Sequence, residues 1–482
     1  MPTNKMDSLR RECLVPHCMM TLTNEYRSLS FNDRANAGQI LETLNDSLDA
    51  SEPPIAPYSE PRVGLKANSD KQKLAYRPMA MKASEASEIL DDRIDEFMAL
   101  VQAHHQLEDS VFGSAASQNI NEVVAVGRIA SDSSDGKLNT ASLVFETSRR
   151  MGAGLRVHLN LKALPSFQFF PGQIVALKGI NASGDEFVVK EVLDSPLLPS
   201  AATTIEGIEA HVQRLAGGPD AMDSDSAPAP LNVLLGAGPF TADDNLDFEP
   251  LHALCGQAAE SYADALVLTG PFLDIDHPLI ASGDFDLPDE AIIDPDTATL
   301  VTVFRYLISP IFQRLVAENP HITIILIPSV RDAISKHVSW PQDAFGPRKE
   351  LGLPKSVRIV GNPMTFSLNE TVVGISSQDI LYELRNEEIT GGRPSDGGPF
   401  ARLPKYMLEQ RHFFPVFPPV NRQNLPRTGT EEGIPTGAML DLSYLKLGEM
   451  LLVRPDLLIV PSALTPFAKV SCSYFKEMRY FC

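Results

Sequence analysis

Residues 265–274 read ALVLTGPFLD. An apolar run, Val267 β-branched within it, stops at Thr-Gly-Pro and is followed by an acid. That is the spelling of a short buried strand, a tight turn and a polar group at the strand's carboxyl end. Sheets that alternate with helices gather their chemistry at such ends. Two acids here, at the positions of Pro271 and Asp274, would suit a pair of metal ions, because carboxylates bridge and charge-balance cations while imidazoles complete each shell. Proline has no ligand atom, so only Asp274 survives. The fold and the function both turn on whether the other strand ends repair that loss.

They do not. The first comparable strand ends GAGPFTADD, and residues 236–238 offer no side-chain ligand, with Gly236 and Pro239 in the corner. The third ends IPSVRD, which sets Val330, Arg331 and Asp332 where the likeness to the calcineurin-like phosphoesterase corner implies an Asn-His pair. Arginine does not ligate, and its fixed charge repels a cation. VVGISSQD offers hydroxyls and one acid, and LIVPSAL offers no histidine. His252, His277, His321, His337 and His412 fall in loops or helices away from these ends. The expectation is a set of vestigial corners at Gly236, Pro239, Pro271, Asp274, Arg331 and Asp332, with no catalytic, metal or cofactor-binding residues. Asp274 and Arg331 either form an ion pair in place of a metal or are two solvated side chains; the sequence leaves both open.

Other catalytic spellings are missing. No Gly-x-x-x-x-Gly-Lys-Ser/Thr loop and no Gly-x-Ser-x-Gly elbow occurs. GAGP (236–239) lacks the spacing of a dinucleotide fingerprint and reads as a turn. The acids of DFDLPDEAIIDPD (284–296) read as a solvated loop, as does the glycine-rich tract 387–400. Five cysteines (Cys13, Cys18, Cys255, Cys472 and Cys482) are scattered. Cys13 and Cys18 have no second Cys/His pair nearby, so reduced structural or surface thiols are preferred to zinc.

Length and composition bound the rest. A chain of 482 residues with 43% apolar content suggests two or three domains with sizeable cores. No run approaches the roughly 18 apolar residues of a membrane span. The best, LLVRPDLLIV, is broken by Arg454, Pro455 and Asp456, and the N-terminus lacks the apolar core of a signal peptide. An intracellular, soluble protein without membrane contact is expected. A net charge of −21 argues against a tight grip on nucleic acid, which needs clustered Lys and Arg.

Along the chain, residues 1–82 are polar, rich in turn formers and expected to be mostly disordered. Residues 83–110 repeat apolar side chains at helical spacing (Ile89, Leu90, Ile94, Phe97, Met98, Val101), predicting an amphipathic helix. Residues 120–208 break into five or six short β-like runs with turn signals such as SDSSDGKLN and NASG, which suits a small all-β OB barrel. Phe167, Phe169 and Phe170 could stack nucleic-acid bases, but packing is preferred, since the local charges nearly cancel. Residues 209–230 read as an acidic linker. Residues 231–482 read as an α/β domain whose near-continuous apolar strands imply a sheet covered on both faces.

An OB barrel ahead of an α/β domain stripped of its metal ligands resembles the B-subunit family of DNA polymerase alpha–primase. The resemblance rests on GRIASDSSDGKLNTASLVFE, FFPGQIVALKGINASG, GPFLDIDHP, IPSVRDA, GNPMTFSLNETVVGISSQDILYEL, RHFFPVFPP and RPDLLIVPSAL, in that order along the chain. YRPMAMKASEASEILDDRIDEF is similar to the helical segment ahead of the family's barrel. FPGQ with GIN-x-x-G and GPFLD-x-x-HP look more like alpha than like the related delta and epsilon families. The resemblance implies a multi-domain protein with an inactive calcineurin-like phosphoesterase domain. It also implies a non-enzymatic nuclear scaffold without cofactors. That scaffold would bind the C-terminal domain of the polymerase alpha catalytic subunit, reach the primase subunits through the complex, and touch DNA only weakly or indirectly. The alternatives are a phosphoesterase with atypical ligands and a stand-alone single-strand binder. SCSYFKEMRYFC (471–482) departs from the family's ending, so terminal strands are expected to be missing and a sheet edge uncovered; the N-terminal end likewise looks shortened.

Overall fold

The computed structural model describes residues 31, 34–48, 52–77, 81–133, 137–216, 229–294, 297–334, 339–393, 398–419, 439–473 and 476–481. Cys13, Cys18, Cys482, His337 and residues 217–228 of the expected linker lie outside them. Met1–Gln39 and Ile40–Cys482 are separate units, and every element named below belongs to the second.

The expectation of disorder over residues 1–82 fails at its end. Strand β1 (Leu65–Ala67) pairs antiparallel with residues 366–368, Leu65 opposite Leu368. Just ahead of it the buried Arg62 guanidinium donates to both carboxylate oxygens of Asp264, at 3.2 and 3.0 Å. These partners are some 200 to 300 residues away, so local composition carries no trace of them.

Helix α1 (Ala83–His105) follows, and a short 3-10 turn, Asp109–Val111, completes the segment expected to be helical. Ile94, Phe97 and Val101 are buried against Val126, Ile174 and Ala176 of the barrel, while Glu85, Glu88, Asp92 and Glu96 face out. Its chain direction reverses at Gln106, in the left-handed conformation that often ends helices.

The barrel is built from β2 (Asn119–Ser131), β3 (Leu143–Thr147), β4 (Arg156–Asn160), β6 (Ile174–Asn181) and β7 (Glu186–Leu193), closed in the order β2-β3-β4-β7-β6. The OB expectation is met. Ile129, Leu143, Phe145, Leu177, Phe187 and Val189 fill the interior. Gly127 and Gly179 sit where a Cβ would strike the carbonyls of Glu146 and Val188, so the walls close only around glycine. One more strand, β5 (Ser166–Phe169), leaves the barrel and pairs with the α/β domain.

The apolar strands of that domain form two sheets rather than the single one expected. The first is parallel, ordered β12 (Val357–Ile359), β10 (Thr323–Ile327), β9 (Ala265–Thr269), β8 (Val233–Ala237). The second is ordered β1, β13 (Met364–Leu368), β14 (Thr371–Ile375), β17 (Leu457–Ile459), β19 (Lys476–Phe481), β18 (Ala468–Ser473). Two very short strands, β11 (Ser339–Trp340) and β16 (Met439–Leu440), pair parallel with each other. Val267, Ile325 and Ile327 of the first sheet pack on Phe366, Val373, Ile375 and Ile459 of the second. Helices cover both outer faces, giving four layers. Strands buried on both sides need apolar residues at every position, which is why they show no alternation. The stretch 471–482 supplies β19, which pairs parallel with β17 and antiparallel with β18, and β18 is the edge strand of that sheet among the described residues.

Two further expectations are corrected. The helical run Leu300–Glu318 is long and apolar enough to cross a membrane by length and composition, with mean hydropathy 1.3. Its Phe304, Ile308, Phe312 and Leu315 are buried under the parallel sheet, the environment of a core helix. The first part of the supposed linker is also helical, Ile205–Leu215, capped by the Thr204 hydroxyl accepting from the Gly207 N–H at 3.2 Å.

Barrel and α/β domain are joined by directional bonds. Strand β5 pairs antiparallel with β15 (Ile389–Gly392), Phe169 opposite Ile389. Phe169 enters the barrel core and its neighbour Phe170 enters the α/β core, so the aromatic stretch is packing, as preferred. The buried Gln410 side chain accepts from the Ile174 N–H (2.8 Å) and donates to the Ile174 carbonyl (2.9 Å), in place of a strand neighbour. Arg93 of α1 donates to the Gln410 carbonyl at 2.7 Å. Replacing Gln410 by Leu strands both Ile174 backbone groups. Gln410→Leu is expected to lower stability by about 2–4 kcal/mol, measured as a lower urea midpoint.

Candidate functional site: the strand-end corners

The ends of β8, β9 and β10 converge because their turns touch backbone to backbone. Gly238 N–H donates to the Thr269 carbonyl and Gly270 N–H to the Ile327 carbonyl, both at 2.8 Å. A Cβ on Gly238 would lie 2.1 Å from the Pro271 carbonyl oxygen. One on Gly270 would lie 2.2 Å from the Asp332 carboxylate. Glycine is obligatory at both for space alone.

Asp332 is the centre of this region. Its carboxylate accepts the N–H groups of Phe272 (2.6 Å), Leu273 (3.1 Å) and Ser329 (2.8 Å). One acid thus caps the turn after β9 and the turn after β10. The same two loops are stitched by Ile275 N–H to the Arg331 carbonyl and Ala333 N–H to the Leu273 carbonyl, each at 2.9 Å. Burial pushes the Asp332 carboxyl up to about 7, against the pull of three N–H donors that favour the anion.

Asp274 points at Arg331. The guanidinium donates to Asp274 Oδ1 from Nε at 3.1 Å and to Oδ2 from Nη2, and its Nε also lies 3.1 Å from Asp276 Oδ2. Of the two readings the sequence left open, the ion pair is the one present. Asp274 is buried and Arg331 is partly exposed, so the pair closes the outer end of the corner. Burial raises the Asp274 carboxyl from its ordinary range, while Arg331 and the Asp276 N–H draw it back.

A third cluster was not singled out from sequence. The Asn362 side chain donates to Gln342 Oε1 (3.0 Å) and Ser377 Oγ (2.7 Å). It accepts from Trp340 Nε1 (3.3 Å), Ser376 Oγ (3.0 Å) and Ser377 N–H (3.1 Å). Gln342 in turn donates to the Ser329 carbonyl at 3.1 Å. This network links the ends of β10, β12 and β14. Of its members, only the Ser376 and Ser377 hydroxyls of VVGISSQD stood out in the sequence.

Two histidines, His277 and His412, serve structure. His277 Nδ1 accepts from the Leu279 N–H (3.2 Å), and Nε2 lies 2.7 Å from the Ala242 carbonyl. His412 is fully buried between the Leu445 carbonyl and the Phe414 N–H, and burial lowers its pKa well below the ordinary value. Among the described residues, no three His, Cys, Asp or Glu side chains are grouped to hold a metal. On the barrel, half-buried Lys178 and exposed Lys190 both pair with Glu122, and Arg156 pairs with Glu146.

The comparisons with known proteins agree with this geometry. Residues 87–195 match the family model for the OB domain of the DNA polymerase alpha B subunit, and residues 233–469 match that for the DNA polymerase alpha/epsilon B subunit. The chain is 37% identical to the DNA polymerase alpha B subunit of Schizosaccharomyces pombe over 438 residues, 90% of this chain and 70% of that protein. It is 36% identical to that of Saccharomyces cerevisiae (90% of this chain, 63% of the relative) and 26% identical to that of Bos taurus (91% and 65%). The chain thus spans about two thirds of the length of these relatives. These matches, with the OB barrel ahead of the α/β domain, place the chain in the class of accessory B subunits of replicative polymerases. Within that class, the chain belongs to the B-subunit family of DNA polymerase alpha.

Two outcomes test the corner. Arg331→Ala leaves the Asp274 carboxylate buried without its cation and is expected to cost about 1–3 kcal/mol, less than a fully buried pair because Arg331 is partly exposed. Asp332 gives a pH signature. Its unfolded carboxyl ionises near 3.8, whereas the folded one keeps its proton up to about 7. Folding therefore takes up a proton between those values, and this group's contribution to stability falls as pH rises from 4 to 7. Urea midpoints should decline less between pH 5 and pH 7.5 in Asp332→Asn than in the parent; an unchanged slope would refute the assignment.

Proposed function

We propose that the chain is a nuclear scaffold that binds the C-terminal domain of the DNA polymerase alpha catalytic subunit. Through that subunit it reaches the primase subunits and supports primer synthesis when replication starts. In this reading the α/β domain is an inactive phosphoesterase, with vestigial corners at Gly236, Pro239, Pro271, Asp274, Arg331 and Asp332. The observation that carries the reading is the engagement of both corner acids. Asp332 is spent on three backbone N–H groups and Asp274 on Arg331. Carboxylates held that way position loops rather than a nucleophile.

The rigid union of barrel and α/β domain through β5–β15 and Gln410 supports a scaffold role, since a two-domain surface keeps its shape only if the domains do not swing. DNA contact is weak or indirect in this account, because Phe169 and Phe170 are buried and the barrel's Lys178 and Lys190 are paired with an acid.

Co-purification of the full chain with the C-terminal domain of the polymerase alpha catalytic subunit is the test. A stoichiometric complex is expected, with no metal-dependent hydrolysis of a generic phosphodiester. Failure to form the complex, together with turnover that needs added Mn²⁺, would reverse the reading. Alone, the chain is expected to bind single-stranded DNA with Kd above about 10 μM at physiological salt, measured by fluorescence anisotropy.

A further inference from the structure

The helix Ile205–Leu215 is turned inside out. An amphipathic helix on a globular surface normally buries its apolar stripe. Here Ile205, Ile208 and Val212, spaced to share one face, are 76%, 51% and 40% exposed. The inward side holds Gly207, Ala210 and His211, and Arg214 Nη1 donates to Asn369 Oδ1 at 3.2 Å. No residue of this helix is buried. Among the described residues, none packs over the stripe.

A second observation lies beside the chain that enters this helix. The backbone of Arg454 donates to the Pro199 carbonyl (2.8 Å) and pairs with Ser200. Two residues before Arg454, Leu452 is 82% exposed with φ +63°. It sits at the tip of a three-residue turn closed by the Val453 N–H to the Leu451 carbonyl at 2.7 Å. A branched residue in this conformation is strained, and such strain gathers at recognition sites. Leu451 next to it is also exposed.

The charges near the stripe choose its occupant. Glu206 and Glu209 are exposed on the same helix, to one side of the stripe. Among the described residues, no cation pairs with these two acids. We propose that this face docks a basic amphipathic helix of another protein, its apolar side chains on Ile205, Ile208, Val212 and Leu452 and its Lys or Arg residues against Glu206 and Glu209. A second copy fits badly, because a two-fold pair of these helices would set Glu209 against Glu209.

The probe is a fluorescein-labelled synthetic helix with leucines at helical spacing and lysine flanks, compared with the same peptide bearing glutamate flanks. Full-length protein should bind the lysine form with Kd below about 100 μM and the glutamate form at least about 10-fold more weakly. Ile208→Asp and Leu452→Asp should each weaken the lysine form about 10-fold with melting temperature unchanged, since both side chains face solvent. The double variant Glu206→Lys, Glu209→Lys should reverse the preference, which also tests the site if an aspartate variant folds poorly. Lysine-peptide binding that ignores Ile208→Asp would overturn the proposal, as would equal binding of both peptides. So would a dimer, seen by sedimentation, that Ile208→Asp dissociates.

Discussion

The carboxylate of Asp332 is the constraint from which the rest of the α/β domain hangs. Three backbone N–H groups from two loops point at one buried side chain. Without it, each would be a buried donor lacking a partner, and each would cost about 1–3 kcal/mol. The acid sits directly over Gly270, so the turn after β9 approaches to a distance that only a glycine permits. Arg331, its neighbour in sequence, reaches outward to Asp274 and Asp276. Two adjacent residues thus tie the corner from inside and from outside. Asn362 does the same work on the far side with uncharged groups.

In the proposed scaffold reading, this arrangement keeps the strand ends in one place. Metal ions cross-link strand ends by taking ligands from several loops at once. Here a carboxylate, a guanidinium and an amide make those cross-links with hydrogen bonds. The strand ends stay fixed, and with them the surfaces that flank them. The barrel is fixed in turn through Gln410, which occupies the hydrogen-bonding place of a missing strand beside Ile174. Helix α1 secures the same seam through Arg93 and through Ile94, Phe97 and Val101. A polymerase accessory subunit needs such rigidity more than it needs a reactive group.

Much of this was legible in the sequence, and the remainder was hidden for identifiable reasons. The barrel strands and α1 were readable because side-chain periodicity and turn residues are local signals. At the corner the sequence left the Asp274–Arg331 ion pair open against two solvated side chains, since only the folded chain brings the two loops together. Strand β1 was not, because Leu65 finds Leu368 only after the domain has folded. The pairing of β19 with β17 was hidden for the same reason. Asn362, Gln342 and Gln410 gave no signal, since single polar residues in loops have no period and acquire meaning only from their partners. The helix Ile205–Leu215 was missed because it is followed by a run of small and acidic residues, and its apolar side chains do not enter a core.

The claim that side chains hold these strand ends in place of metals is tested most directly by thermal unfolding with chelator and then with Mn²⁺ or Zn²⁺. A site with Kd near 10 μM would add about 2.7 kcal/mol at roughly 1 mM metal, enough to raise the melting temperature by several degrees. The account predicts the same melting temperature in all three conditions. A metal-dependent rise that vanishes in Asp274→Ala would mean that the corner still binds cations, and the Asp274–Arg331 pair would then be only one of its states.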